Sequence, residues 1–350
     1  MIRDIIATLL AGKDIGAAGA ENLMAAIMDG DLDDARLGAI LAALRLKGVT
    51  AAELGGFART MRDRAIPVHA DCIDRAVDTC GTGGDGKDTF NISTAAALIT
   101  AAAGVPVAKH GNRSASSRCG SADVLEALGV NLDLRPEAQG ELLDSVGIAF
   151  LFAPNHHPAM RHAAAVRRSL GVRTVFNLLG PLANPAGVRR QLLGVYSPRL
   201  TDLMAAALRE LDAERALVVH GRDGQDELSL TGPTLVVELD QGQLTRRTVT
   251  PADAGLQPCR PEDLGGGEVA DNVLLMNDVL TGVTGPRTDA ALLNAAGALL
   301  VADAVTDLKE GVQCAREAVG DGRACGLLHA LRTASHDLAT SAEQASGGGS

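Results

Sequence analysis

Aromatic residues are nearly missing from this chain of 350 residues: they make up 2%, with one tyrosine and no tryptophan. Since 46% of the chain is nevertheless hydrophobic, the core must be built from Ala, Leu and Val. Contacts between helices are then expected to be close and alanine-lined. Positive charge is also in deficit. There are 43 acids against 32 Lys and Arg, giving −11, which argues against a general nucleic-acid or anionic-membrane surface. No long hydrophobic run occurs. The most apolar stretch, 95–108, is broken by Gly104 and Pro106 and is too short to span a bilayer. Residues 1–10 place an acid before a brief apolar run, a poor signal peptide, so a cytoplasmic location is expected. Six cysteines include no C-x-x-C pair, which points to reduced, mostly buried thiols. Cys80 and Cys119 flank loops of interest but read as small buried thiols.

What is present divides into two parts. Residues 1–68 carry helical patterning only. Asp33 or Asp34 caps a helix with Leu37, Ile40, Leu41 and Leu44 on one face, ending near Gly48. Thr50 and Glu53 form a capping box for the next helix, and Pro67 stops it. So apolar a bundle is expected to pack on a neighbouring domain or on a second copy of itself, which predicts a homodimer. From about residue 73 to 340, short strands alternate with helices. Strands are expected at 105–108, 147–152, 188–196, 216–220 and 234–239. Helices are expected at 95–103, 122–128, 203–211, 288–300 and 311–331. That alternation predicts an α/β domain with a mainly parallel sheet flanked by helices. Residues 341–350, ending in Ser-Gly-Gly-Gly-Ser, read as a flexible tail.

The most informative segment is Gly81-Thr-Gly-Gly-Asp-Gly86, four glycines in six positions after the apolar pair Ala76-Val77, followed by Asn91-Ile-Ser-Thr94. The order is strand, glycine loop, helix start. Glycine permits positive φ and close approach of a ligand to the main chain. A helix start offers free N–H groups and a positive dipole end, so the pair suits a phosphate or pyrophosphate. Gly81, Gly83 and Gly86 also fit G-x-G-x-x-G. A dinucleotide fold, however, needs an acid about 20 residues on. The stretch 100–108 has none, and the next strand ends in Lys109. No Gly-Lys-Ser/Thr at the required spacing supports a Walker loop either.

A second loop, Lys109-His-Gly-Asn-Arg-Ser-Ala-Ser-Ser117 with Ser121, offers cations, hydroxyls and a glycine, the donors a phosphate needs. Asp226 and Glu227 are adjacent acids on a loop after a strand. Such a pair fits Mg²⁺, which takes oxygen ligands from one or two carboxylates, but in a chain with 43 acids the pair by itself reads first as a solvated acidic turn. Arg161, Arg167, Arg168 and Arg173 are candidates for a carboxylate ligand, and helical spacing does not separate Arg167 from Arg168.

Gly81–Asp85, Asn91–Thr94, Lys109–Asn112, Gly120-Ser-Ala-Asp-Val-Leu-Glu-Ala-Leu-Gly129, Phe152-Ala-Pro154, His157-Pro-Ala-Met160, Val166-Arg167, 171–185 and Asp226–Ser229 together resemble the anthranilate phosphoribosyltransferases. The resemblance runs over nearly the whole chain. It implies a homodimer whose helical domain is joined by part of 165–187. It also implies transfer of phosphoribose from phosphoribosyl pyrophosphate to anthranilate, in tryptophan biosynthesis. For phosphoribosyl pyrophosphate it implies Gly81, Gly84, Asp85, Thr89, Asn91, Ile92, Ser93, Thr94, Lys109, His110, Gly111, Asn112, Arg113, Ser114, Ala115, Ser116, Ser117 and Ser121. For anthranilate it implies Gly81, Asn112 and Arg167, with Pro154 and His157 lining an entry. Two Mg²⁺ ions are implied, on Asp226 and Glu227 and on Ser93. Met160 stands where some relatives carry an aromatic residue. Two other readings are a pyrimidine nucleoside phosphorylase-like enzyme and a non-catalytic nucleic-acid-binding relative of the fold. No general base is assigned.

Overall fold

The computed structural model describes residues 1–113 and 118–347. Four helices open the chain: α1 (Ile2–Leu10), α2 (Gly16–Asp29), α3 (Asp34–Lys47) and α4 (Ala51–Asp63). Asp33 caps α3 by accepting the Arg36 N–H at 2.8 Å. The Thr50–Glu53 box caps α4, and Glu53 does more than cap. Its carboxylate is fully buried and also accepts from Ile15 N (2.9 Å) and Lys47 Nζ (2.9 Å). A buried charge needs such partners. The helix α4 stops at Asp63, ahead of Pro67, and Ile66 N–H then docks on the His156 carbonyl at 2.9 Å.

Seven strands follow: β1 (Val77–Gly81), β2 (Val107–Gly111), β3 (Ile148–Phe152), β4 (Arg190–Gly194), β5 (Arg215–Gly221), β6 (Thr234–Asp240) and β7 (Gln243–Val249). The sheet order is β3-β2-β1-β4-β5-β6-β7. The first five strands are parallel, while β6 and β7 are antiparallel additions. The strand at 234–239 therefore does not continue the parallel pattern, and β7 was not foreseen. The reason is the connections. A parallel neighbour needs a crossover of a dozen or more residues, usually helical. Residues 222–233 hold turns only, closed by Arg222 N–H on Pro233 O at 2.9 Å. Gln241 and Gly242, both at positive φ, make a two-residue hairpin turn.

Helix α5 (Ile92–Ala102) and the helix Pro286–Val301 cover one face of the sheet, and the helix Leu308–Gly320 packs on these two helices. Their contacts are as close as the shortage of rings requires. A Cβ placed on Gly311 would lie 2.8 Å from the Ala296 Cβ. Helices Pro136–Val146 and Val269–Leu280 were not foreseen, although Pro at the first position and Gly147 at the end mark the former. The last helix runs from Arg323 to Gly347, past the expected start of the tail at 341. Its Ala, Glu and Gln residues there are good helix formers.

Alternation along the strands splits the apolar residues into two clusters. Leu217 and Val219 join the helices just named, whereas Ala216 and Val218 face the other way. That second cluster includes Leu23, Leu41 and Phe57 of the opening bundle, and Ala163, Val166 and Phe176 from the chain after β3. The helix Arg161–Leu170 packs on α2 and α3.

Candidate active site

Strands β2 and β3 lie on one side of β1, and β4 and β5 on the other. In such a sheet the ligand crevice opens beyond the carboxyl ends at this reversal. A cleft of about 800 Å³ lies there, reaching from the glycine loop after β1 to the helix Arg161–Leu170. Every described residue expected to bind phosphoribosyl pyrophosphate or metal lines it. Gly81, Gly84 and Asp85 come from the loop, and Thr89, Asn91, Ile92, Ser93 and Thr94 from the entry into α5. Lys109, His110, Gly111, Asn112 and Arg113 come from the end of β2, joined by Ser121, Asp226 and Glu227. Arg167, expected on the carboxylate of the acceptor, lines it as well. Ser114, Ala115, Ser116 and Ser117 lie outside the described residues.

The acid loop is pressed against the strands. A Cβ on Gly194 would sit 1.5 Å from the Asp226 carbonyl oxygen, so only glycine fits at this end of β4. Asp226 Oδ2 accepts from Gly83 N at 2.9 Å, which joins the acid loop to the glycine loop. Burial pushes the Asp226 carboxyl up to about 7, and the nearby Asp85 adds to this. Burial likewise drives Glu227 well above the usual carboxylate range, with Asp226 next in effect, while Lys109 and the Ser93 N–H pull it back.

Lys109 is buried, donates to Thr79 O, and reaches Ser93 Oγ at 3.3 Å. It sits under the start of α5 rather than out in solvent. Burial pulls its pKa down, and Asp78 offsets this. Asp78 was not foreseen as part of the site. It is 1% exposed and held by His110 N (3.2 Å), Asn184 Nδ2 (2.9 Å) and Gln191 Nε2 (3.3 Å). An acid inside an apolar strand was the available signal.

His110 bonds the Gly180 carbonyl through Nδ1 at 3.0 Å, and burial lowers its pKa to about 3, so it is neutral. His157 does not line the cleft. It is buried against Ala183 O (2.9 Å), with its ring 5.3 Å from that of His110. Pro154 and Met160 are also absent from the cleft lining; Met160 packs on the cluster of the opening bundle. Arg113 pairs with Glu126 through both terminal nitrogens (2.8 and 2.9 Å) and with Asp123 (3.0 Å).

Of the four candidate arginines, Arg167, Arg168 and Arg173 line the cleft, while Arg161 turns to Pro158 O at 3.4 Å. Arg167 lies 4.9 Å from the centroid of the Phe176 ring. Among the described residues no carboxylate pairs with it, and burial alone lowers its pKa. A planar guanidinium in that state suits an incoming carboxylate.

Mg²⁺ fits one part of the cleft. Ser93, Asp85, Asp226 and Glu227 supply oxygen donors only. Among the described residues no three His, Cys, Asp or Glu side chains form a closed metal-binding set.

The helical bundle, the mainly parallel sheet and the cleft at its carboxyl edge are those of a glycosyl-transferring enzyme class, as the comparisons show. Residues 3–65 match the helical bundle domain of the glycosyl transferase family, and residues 73–325 match its a/b domain. The chain belongs to the anthranilate phosphoribosyltransferases. The Moorella thermoacetica anthranilate phosphoribosyltransferase is 51% identical over 331 residues, 95% of this chain and 97% of that one. The crystal structure of the Thermus thermophilus enzyme superposes with a TM-score of 0.90 at 46% identity, covering 95% of this chain and 99% of that one. The Saccharomyces cerevisiae enzyme in complex with PRPP and Mg superposes with a TM-score of 0.88 at 26% identity, covering 96% and 98%. The same yeast enzyme in complex with 4-fluoroanthranilate gives 0.86 at 25%.

Proposed function

We propose that this chain transfers the 5-phosphoribosyl group of phosphoribosyl pyrophosphate to the amine of anthranilate, releasing pyrophosphate. The observation that carries the reading is one cleft that runs from the glycine loop and the Asp226–Glu227 pair to Arg167. The glycine loop, the start of α5 and the Asp226–Glu227 pair suit a metal-bound diphosphate. Arg167, which no carboxylate pairs among the described residues, suits a carboxylate on a ring.

In the reaction the bond from C1 to the diphosphate oxygen breaks, and its electron pair leaves with the diphosphate. The amine nitrogen bonds C1 and afterwards releases a proton to solvent. The amine is neutral at pH 7, so attack requires no base. The residues contribute by position. N–H groups at the start of α5, with Lys109 beneath them, stabilise negative charge on the leaving group. Arg167 aligns the acceptor with C1. Asp226, Glu227 and Ser93 would hold Mg²⁺, which when bound would supply further charge neutralisation on the diphosphate, and we infer two ions per site. We also infer a homodimer through the bundle, where Leu10 (66%) and Leu46 (88%) are exposed. Light scattering that finds a monomer at micromolar protein overturns the dimer.

The test of function is direct. Purified protein with phosphoribosyl pyrophosphate and Mg²⁺ consumes anthranilate fluorescence and releases one pyrophosphate per anthranilate. No consumption, together with phosphorolysis of thymidine or uridine, would replace this reading with the phosphorylase.

A further inference from the structure

Arg173 takes no part in the chemistry above, yet it touches both domains. Its Nη2 donates to the Gly84 carbonyl, and its guanidinium lies over the Tyr196 ring, 4.1 Å from the centroid. Tyr196 is tied to the same loop. Its N–H donates to Thr82 Oγ1 at 3.1 Å, and the Thr82 N–H donates to Gly194 O at 2.9 Å. On the other side, Arg45 Nη1 of α3 donates to the Arg173 carbonyl at 2.8 Å. The side chain of Arg173 therefore grips the glycine loop, while its main chain is held by the helical bundle.

The loop needs an external restraint. Gly83, Gly84 and Gly86 all have positive φ and no side chain of their own to anchor them. In a trans peptide the C=O and the following N–H point in opposite directions, and the described backbone has no cis peptide. Holding the Gly84 carbonyl thus fixes where the Asp85 N–H points. A guanidinium can donate in its plane while its face rests on a ring, which a lysine ammonium cannot reproduce.

We propose that Arg173 is a positioning residue: stacked on Tyr196 and bonded to the Gly84 carbonyl, it presets the glycine loop for the diphosphate, and Arg45 couples that setting to the helical bundle. The proposal rests on the transferase reading, in which this loop holds phosphoribosyl pyrophosphate. The chain has one tyrosine and no tryptophan, so tyrosine emission reports on Tyr196 alone. Arg173→Ala raises the KM for phosphoribosyl pyrophosphate about tenfold or more and leaves the KM for anthranilate within about threefold. Arg173→Lys falls between, and Arg45→Ala shifts the same KM by a smaller factor. Titrating Mg²⁺ and pyrophosphate into the wild type changes tyrosine emission, and Arg173→Ala moves the midpoint about tenfold higher. Equal rises in both KM values, or no change in either KM or in the titration, overturns the proposal. Should Arg173→Ala fail to fold by circular dichroism, Arg173→Lys and Arg45→Ala decide it by the same readings. A wild type that forms no phosphoribosylanthranilate sinks the transferase reading instead, and the pyrophosphate titration then judges the clamp by itself.

Discussion

The sheet side and the helix side of the cleft treat charge in opposite ways. On the sheet side the charges are buried and already engaged. Lys109 bonds Thr79 and Ser93, Asp226 accepts from Gly83, and Asp78 is held by three donors. On the helix side Arg167 is half-buried against a ring, with no acid opposite among the described residues. Buried charge is tolerated only where partners are fixed in advance, so the sheet side presents groups already held in place, which suits the metal and diphosphate of the proposed reaction. The helix side keeps a donor fork free for a ligand that arrives from outside. It also shares its apolar packing with the bundle through Ala163, Val166 and Phe176, so whatever moves the bundle moves this wall of the cleft.

The contrast can be broken most severely at Gly194. Gly194→Ala forces the Asp226 backbone away, and a shift of about 1 Å in such a site costs on the order of a hundredfold in kcat/KM. A mutant with unchanged kcat/KM would show that the acid loop is not rigidly seated. Replacing Arg167 by Ala removes a charge-assisted pair, which is worth roughly 1.5–3 kcal/mol. The KM for anthranilate then rises on the order of tenfold to a hundredfold while that for phosphoribosyl pyrophosphate stays level. Equal rises would erase the distinction between the two sides. Asp226→Asn with Glu227→Gln moves the Mg²⁺ midpoint of the rate upward about tenfold; an unmoved midpoint removes both carboxylates from the metal site.

The gentlest test is pH. Burial lowers His110 to about 3 and His157 to about 4, from 6.5. The unfolded chain therefore binds more protons between pH 6.5 and those values. Stability is intact above 6.5 and is lost as pH falls through that window, by roughly 2 kcal/mol for each histidine at pH 5. His157→Gln makes thermal unfolding less sensitive to pH between 7 and 5. An identical slope in mutant and wild type would mean that the ring is not buried in neutral form.

Much of this was legible in the chain. Gly81–Thr94 announced a strand, a loop and a helix start, because glycine content and capping chemistry are local properties. Asp33 and the Thr50–Glu53 box fixed helix starts for the same reason. The hairpin partner β7 was hidden, since the alternation in Gln-Leu-Thr-Arg-Arg-Thr-Val on an edge strand is weak and much of it is exposed. Lys109 looked like an exposed loop cation; it lines the cleft but is buried beneath Ser93, and His157 looked like an entry residue and is packed behind His110. Where a side chain points is set by neighbours far away in sequence.

Local chemistry along the chain thus determined the class of ligand, the alternation of elements and the residues able to hold a diphosphate, because these depend on backbone freedom and functional groups read in order. The parallel sheet's reversal beside β1 decided the rest. It brought residues 81, 109 and 226 to one edge, assigned Arg167 and Arg173 different partners, and used burial to set which groups carry charge. Burial and pairing are properties of the packed whole, and no stretch of sequence contains them alone.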